Sequence, residues 1–88
     1  MAKRAKLEII KDILKIIQEN RSIKTTPLIR KSNLSTGRFK EYHSDLLEKR
    51  LIREISEKSG KKIALTDKGF RFLEKYKTII DFIDEFEL

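Results

Sequence analysis

The 88-residue chain has no cysteine and no tryptophan, one histidine, one proline and three glycines. Without cysteine, neither a disulfide nor a thiolate metal site is available, and the composition suits a reducing cytoplasm. His43 has no second histidine or thiol to complete a metal site, so a partly buried neutral imidazole is expected there and no metal. No apolar run approaches the roughly 20 residues that span a bilayer. Met1 to Lys6 lead into an amphipathic pattern rather than a signal peptide. Gly37, Gly60 and Gly69 form no phosphate-cradling loop, and His43 has no nucleophile or carboxylate at a catalytic spacing. One domain of this length is too small to enclose a substrate. A binding protein is therefore expected, with no enzymatic activity, cofactor or small-molecule substrate.

Acid is missing where base collects. The net charge is +7, and residues 1–50 hold 13 basic and 6 acidic side chains against 8 of each in residues 51–88. Between residues 21 and 40, Arg21, Lys24, Arg30, Lys31, Arg38 and Lys40 occur with no Asp or Glu. A polyanionic partner requires such a patch.

The most informative stretch runs from Ser35 to Arg50. Ser35 is a good N-cap, and the helical pitch puts Phe39, Tyr42, His43, Leu46 and Leu47 on one face. Gly37, Glu41, Ser44 and Glu48 then face outward, with Arg38 and Lys40 near the start and Asp45 and Glu48 a turn or two later. Only the N-terminal half of this helix suits phosphate.

Upstream, Leu7, Ile10, Leu14 and Ile17, widened by Ile9, Ile13 and Ile16, predict a long helix ending near Asn20. Its apolar stripe is wide enough for two neighbours, a second subunit among them, or for complete enclosure. Ile23 suits a short extended segment pairing with a later hairpin. Thr25 or Thr26 caps a short helix with Pro27 at its first position, burying Leu28 and Ile29 and ending near Ser32. Asn33 and Leu34 make the turn into the next helix, which completes a helix-turn-helix order.

Downstream the period changes: Leu51, Ile52 and Ile55 lead into Glu57, Lys58, Ser59 and Gly60, and Ile63 and Leu65 then alternate as a half-buried strand should, with Ser59-Gly60 as the turn signal of a hairpin. The hairpin tip carries Lys58, Lys61 and Lys62, and after a basic helix it reads as a wing. Thr66 then caps a last helix, with Asp67 at its positive end. Along it Phe72, Tyr76, Ile79, Ile83 and Phe86 repeat at spacings of four and three, a coiled-coil seam. Phe70, Leu73 and Ile80 lie on the adjacent side, suited to docking on the helix's own domain. Its first half is basic, and its last eight residues carry Asp81, Asp84, Glu85 and Glu87 with no base. An antiparallel pair sets basic starts beside acidic ends, so the expected dimer is antiparallel and two-fold, with Ile79 at its centre.

The predicted fold is thus α+β: a winged helix-turn-helix of three helices and a hairpin wing over residues 1–65, followed by a long C-terminal dimerisation helix over residues 66–88. The chain resembles small archaeal winged-helix DNA-binding proteins, some similar to chromatin or regulatory factors. The likeness is carried by Thr26, Asn33-Leu34-Ser35, Leu46-Leu47-Glu48-Lys49, Leu51-Ile52 and Leu65-Thr66-Asp67-Lys68-Gly69 and their spacing, over nearly the whole chain. It implies a homodimer joined by an antiparallel coiled coil, presenting two reading helices and two wings to duplex DNA. Two positions depart from the pattern. His43 replaces an apolar residue, and Arg50 stands where glycine is usual, where it either strains a left-handed turn or extends the helix.

The expected function is double-stranded DNA binding, as a transcription regulator or a nucleoid-associated protein in the cytoplasm. Ser35, Thr36, Gly37, Arg38, Lys40, Glu41 and Ser44 would meet the major groove, and Lys24, Arg30, Lys31 and the wing lysines the phosphates. Glu41 would accept from a cytosine amino group or orient Arg38 or Lys40. The alternative is a protein-binding scaffold in a larger assembly, against which the acid-free stretch argues. RNA binding is weakened by the absence of an outward aromatic for base stacking.

Overall fold

Seven elements follow in the computed structural model, which describes residues 5–88. They are α1 (Lys6–Asn20), β1 (Ser22–Lys24), α2 (Thr25–Ser32), α3 (Thr36–Glu48), β2 (Ile52–Glu57), β3 (Gly60–Leu65) and α4 (Asp67–Glu85). The α+β winged-helix architecture expected from the sequence is present. Of the Met1 to Lys6 segment, the part up to Arg4 lies outside the described residues.

The core gathers wherever the two periodicities meet. From α1 come Ile9, Ile10, Ile13, Leu14 and Ile17, from α2 Leu28, from α3 Phe39 and Leu46, and from the sheet Ile23, Ile52, Ile63 and Leu65. Leu7, counted in the apolar stripe of α1, stays 59% exposed because α1 has barely begun there. The sheet order is β1-β3-β2, all antiparallel. Ile23 does pair with the hairpin, opposite Ile63. Ile63 and Leu65 are buried as their alternation predicts; Ala64 between them is buried as well, its small side chain flanked by Ser22 of β1 and Arg53 of β2 on either side of the central strand.

Two local details differ from expectation. The short helix starts at Thr25 with Lys24 as its N-cap and no side-chain cap bond, so Pro27 is the third helical residue rather than the first. Its missing N–H still falls among the four that lack an intrahelical acceptor, so the position costs little. The hairpin turn is Lys58-Ser59, with Glu57 opposite Gly60, one residue earlier than Ser59-Gly60. Gly60 has φ +119° and opens β3, a conformation that side chains disfavour.

Arg50 resolves the departure noted in the sequence: it takes φ +60° and α3 is not extended. Its N–H donates to the Leu47 carbonyl (3.0 Å), and the Leu51 N–H donates to that of Leu46 (3.0 Å). This is a Schellman ending, with Leu46 and Leu51 both buried as its apolar contact. Replacing Arg50 with glycine relieves the left-handed strain, offset in part by the freedom glycine gains when unfolded. Arg50→Gly is expected to stabilise the fold by about 0.5–1 kcal/mol, read as a rise of a few degrees in the melting temperature. An unchanged or lower melting temperature would mean that the arginine is not strained.

Candidate nucleic-acid interface

The turn Asn33-Leu34-Ser35 presents α3 to solvent at its N-terminal end. Asn33 closes α2 in the left-handed conformation, φ 59°, which asparagine tolerates better than most residues. Ser35 accepts a hydrogen bond from the Arg38 N–H at 3.2 Å, as its N-cap role requires. Thr36, Gly37, Arg38, Lys40, Glu41 and Ser44 are all exposed, while Phe39 is 1% exposed. The helical wheel drawn from the sequence is therefore the one observed. A Cβ at Gly37 would meet nothing within 4 Å, so the chain's own packing does not need glycine at this exposed position.

Charge on α3 is divided along its length. Its first turn holds no acid. Farther on, Arg38, Glu41 and Asp45 line one open niche with Tyr42 and with Lys6 of α1. Asp45 also holds Lys49 at 3.0 Å. Lys6 was not among the residues expected at this surface; the start of α1 comes beside α3 only through tertiary packing.

The remaining cations fall on two sides. Arg30 and Lys31 are exposed in the last turn of α2, where they also suit the negative end of that helix. Lys24 lies opposite Lys62, and Lys62 opposite Ile55, in one row across the sheet. Two residues along the same face stands Arg53, exposed and opposite Ala64. Sequence reasoning passed over Arg53, although its spacing of two from Ile55 marks the shared face. Lys58 sits in the turn and Lys61 is exposed on the opposite face. Lys62 is not at the tip: it is half-buried in β3 and pairs with Glu57 at 3.4 Å.

The helix and the hairpin meet at His43. Its ring stacks on Phe39 with centroids 5.6 Å apart. Nε2 is buried without a hydrogen-bond partner among the described residues, 3.7 Å from the Glu54 carboxylate of β2. The histidine lies on the core side, as its spacing predicts. Among the described residues no group of three or more His, Cys, Asp or Glu is arranged to hold a metal ion, and no helix is long and apolar enough to cross a membrane.

Helix α4 divides its faces differently from the expectation. Gly69 is buried, and Phe72 and Leu73 pack against the core. Tyr76 stacks with Phe72 (6.2 Å) beneath the Lys11 ammonium (5.9 Å). That ammonium also holds Asp12 at 2.7 Å, and their hydrogen bond raises the Lys11 pKa above its ordinary value. Phe72 and Tyr76, assigned to the outward seam, are thus already engaged with their own domain. Phe70 and Ile80, expected to dock, are 44% and 37% exposed. The reason is the helical phase at Gly69, which sets residues 69, 72, 73 and 76 inward. Past Tyr76, Ile80 still lines a groove with Lys11, Lys15 and Gln18 of α1, whereas Ile79, Phe82, Phe86 and Leu88 are exposed, Ile83 partly so.

Several proteins of known structure share this arrangement. Superposition finds Sso10a-2, a DNA-binding protein from Sulfolobus solfataricus, at a TM-score of 0.78 and 19% identity, covering 96% of this chain and 86% of that one. F-93 of SSV1 follows at a TM-score of 0.70 and 27% identity, covering 89% and 91%. F93 from STIV, a winged-helix DNA-binding protein, has a TM-score of 0.71 at 17% identity, covering 89% and 91%. No curated protein matches the chain in sequence. A sequence-family model for the winged helix-turn-helix matches residues 3–84, nearly the whole chain, and to that family the protein belongs.

Proposed function

We propose that the protein binds double-stranded DNA as a homodimer, with α3 in the major groove and the hairpin against the backbone. The observation that carries this reading is the acid-free start of α3 on a winged helix, where Thr36, Gly37, Arg38 and Lys40 are exposed and only Phe39 turns inward. Helix-turn-helix proteins dock by this end of the second helix. DNA binding by Sso10a-2 and by the STIV protein supports the same use of the fold. Ser35, Thr36, Gly37, Arg38, Lys40, Glu41 and Ser44 face the groove; the missing Cβ at Gly37 lets backbone approach backbone. Lys24, Arg30, Lys31, Lys58, Lys61 and Lys62 meet phosphates, joined by Arg53. Glu41 shares its niche with Arg38, which favours orienting the guanidinium over reading a cytosine.

Dimerisation is assigned to residues 66–88, with residues 1–65 as the DNA-binding unit. Ile79, Ile83 and Phe86 form the seam and Phe82 adds to it; Phe72 and Tyr76 frame its inner end. An apolar strip of this kind on a charged helix calls for a cover, and the basic start and acidic end of α4 favour an antiparallel mate. Two reading helices on one rigid body suit a regulator or a nucleoid-associated protein in the cytoplasm.

The test is fluorescence anisotropy on random and AT-rich duplexes across a salt series, comparing wild type with Arg38→Ala/Lys40→Ala. Tight binding with a steep salt dependence is expected, and the variant's slope should fall by about one unit for each phosphate that is no longer neutralised. Absence of binding at low salt would overturn the reading in favour of a protein-binding scaffold.

A further inference from the structure

The sequence Thr66-Asp67-Lys68-Gly69, singled out by its resemblance, has no part in the DNA surface just described. Its work is at the other end of α3. Ile52 pairs with Leu65 at the open end of the hairpin, so the residues just before β2 and just after β3 must lie side by side. The Thr66 N–H continues the ladder to the Leu51 carbonyl at 3.2 Å. The Thr66 hydroxyl donates to the Arg50 carbonyl at 2.5 Å and accepts from the Gly69 N–H at 3.1 Å. The Lys68 ammonium donates to the Lys49 carbonyl at 2.9 Å. Gly69 lies so close that a Cβ there would stand 2.2 Å from the Leu51 carbonyl oxygen.

Three consecutive carbonyls just past α3, that of its C-cap Lys49 and those of Arg50 and Leu51 in the turn into β2, are therefore all taken by the first turn of α4 and its cap. The last turn of α3 has no basic residue of its own and its C-cap Lys49 is turned to Asp45; Lys68 adds a further cation at this negative end and bonds the Lys49 carbonyl directly. Elsewhere α3 and α4 share no broad backbone contact; they meet here.

We propose that Thr66, Lys68 and Gly69 are positioning residues that clamp α4 to the end of the reading helix, so that α3 and α4 turn as one body. Resting on the proposed dimer, the clamp then sets the separation and angle of the two reading helices, because each α3 inherits its direction from the α4 seam. It selects the spacing of DNA grooves the dimer can meet, without touching DNA.

The native chain has no cysteine, so spin labels can be placed cleanly. Ser44→Cys on α3 and Lys75→Cys on α4 replace residues that are both exposed. Diluted into excess unlabelled chain, the pair reports only the distance within one chain. A single narrow distribution is expected, broadened roughly twofold by Lys68→Met and by Thr66→Val as the junction becomes a hinge. Lys68→Arg and Thr66→Ser keep the donors and should stay narrow. A merely structural loss of stability lowers the melting temperature without widening the distance in the folded state. If Thr66→Val does not fold, Lys68→Met carries the test. Unchanged width in folded Lys68→Met, or equal broadening by Lys68→Arg, would overturn the proposal. Singly labelled Ser44→Cys chains, undiluted, give the distance between the two reading helices. Its absence in wild type would defeat the dimer, and with it the groove spacing, while the within-chain pair still decides whether the clamp exists.

Discussion

Replacing Ile79 and Ile83 with lysine is expected to yield a folded monomer that binds duplex DNA far more weakly than wild type. Ile79 is 58% exposed and Ile83 only partly covered, so the single chain loses little by the change and its helical content should persist. A dimer loses much more. Four isoleucines leave the seam, each contributing roughly 1.5–3 kcal/mol when buried, and four ammonium groups replace them. A micromolar dimer has only roughly 8 kcal/mol of association free energy, which the substitutions exceed or nearly match. With one reading helix per particle, the gain from linked sites disappears, and affinity should fall by about 10²–10⁴-fold. Sedimentation equilibrium and anisotropy on the same preparations check both halves. Sedimentation as a dimer in the variant would mean that the α4 seam is not the interface, and a wild-type monomer would remove the dimer itself.

Gly69→Ala is expected to be the most destabilising single methyl in the chain. The added carbon would stand 2.2 Å from the Leu51 carbonyl oxygen and 3.3 Å from a Leu65 methyl. A flexible side chain would swing aside, but this neighbour is backbone. Its oxygen already accepts from the Thr66 N–H at 3.2 Å, and Leu51 is the buried end of the Schellman turn. Relief must move α4 away from the end of α3 or break that ladder bond. We expect a loss of about 2–3 kcal/mol, equivalent to roughly 10–20 °C in melting temperature for a domain of this size. Gly37→Ala is the control: its Cβ meets open space, and alanine there should match or exceed wild-type stability by up to about 1 kcal/mol. Equal melting temperatures for the two variants would show that the approach at Gly69 is not enforced.

Local pattern was enough to settle the identity and order of most elements. Isoleucines at three- and four-residue spacing define α1. Ser35 and Thr66 each carry an oxygen that accepts from an N–H of the helix they start. The face of α3 follows from pitch alone, which is why every residue expected on its outer side is exposed. Such signals travel only a short way along the chain: a cap needs its own three residues, and a helical face needs only its period. The candidate surface on α3 was legible for the same reason, and Arg53 shares a strand face with Ile55 by spacing alone, but only the register sets it in line with Lys24 and Lys62, and only the meeting of α1 with α3 brings in Lys6.

Which neighbour covers each face depended instead on how the elements pack. Periodicity groups Phe72 and Tyr76 with Ile79 but does not say that the domain takes up the first two and leaves Ile79 exposed. The proline and the glycine turn each lay within two residues of their expected places, since several N–H groups at a helix start are equally free and a two-residue loop is set by pairing across strands. Arg50 is the clearest case. Its own sequence leaves strain and helix extension equally open, and the answer comes from the core and from the start of α4. Leu46 and Leu51 must both be buried, and Thr66 and Lys68 take the carbonyls at 49, 50 and 51, so the chain must turn left-handed at Arg50 whatever its side chain prefers.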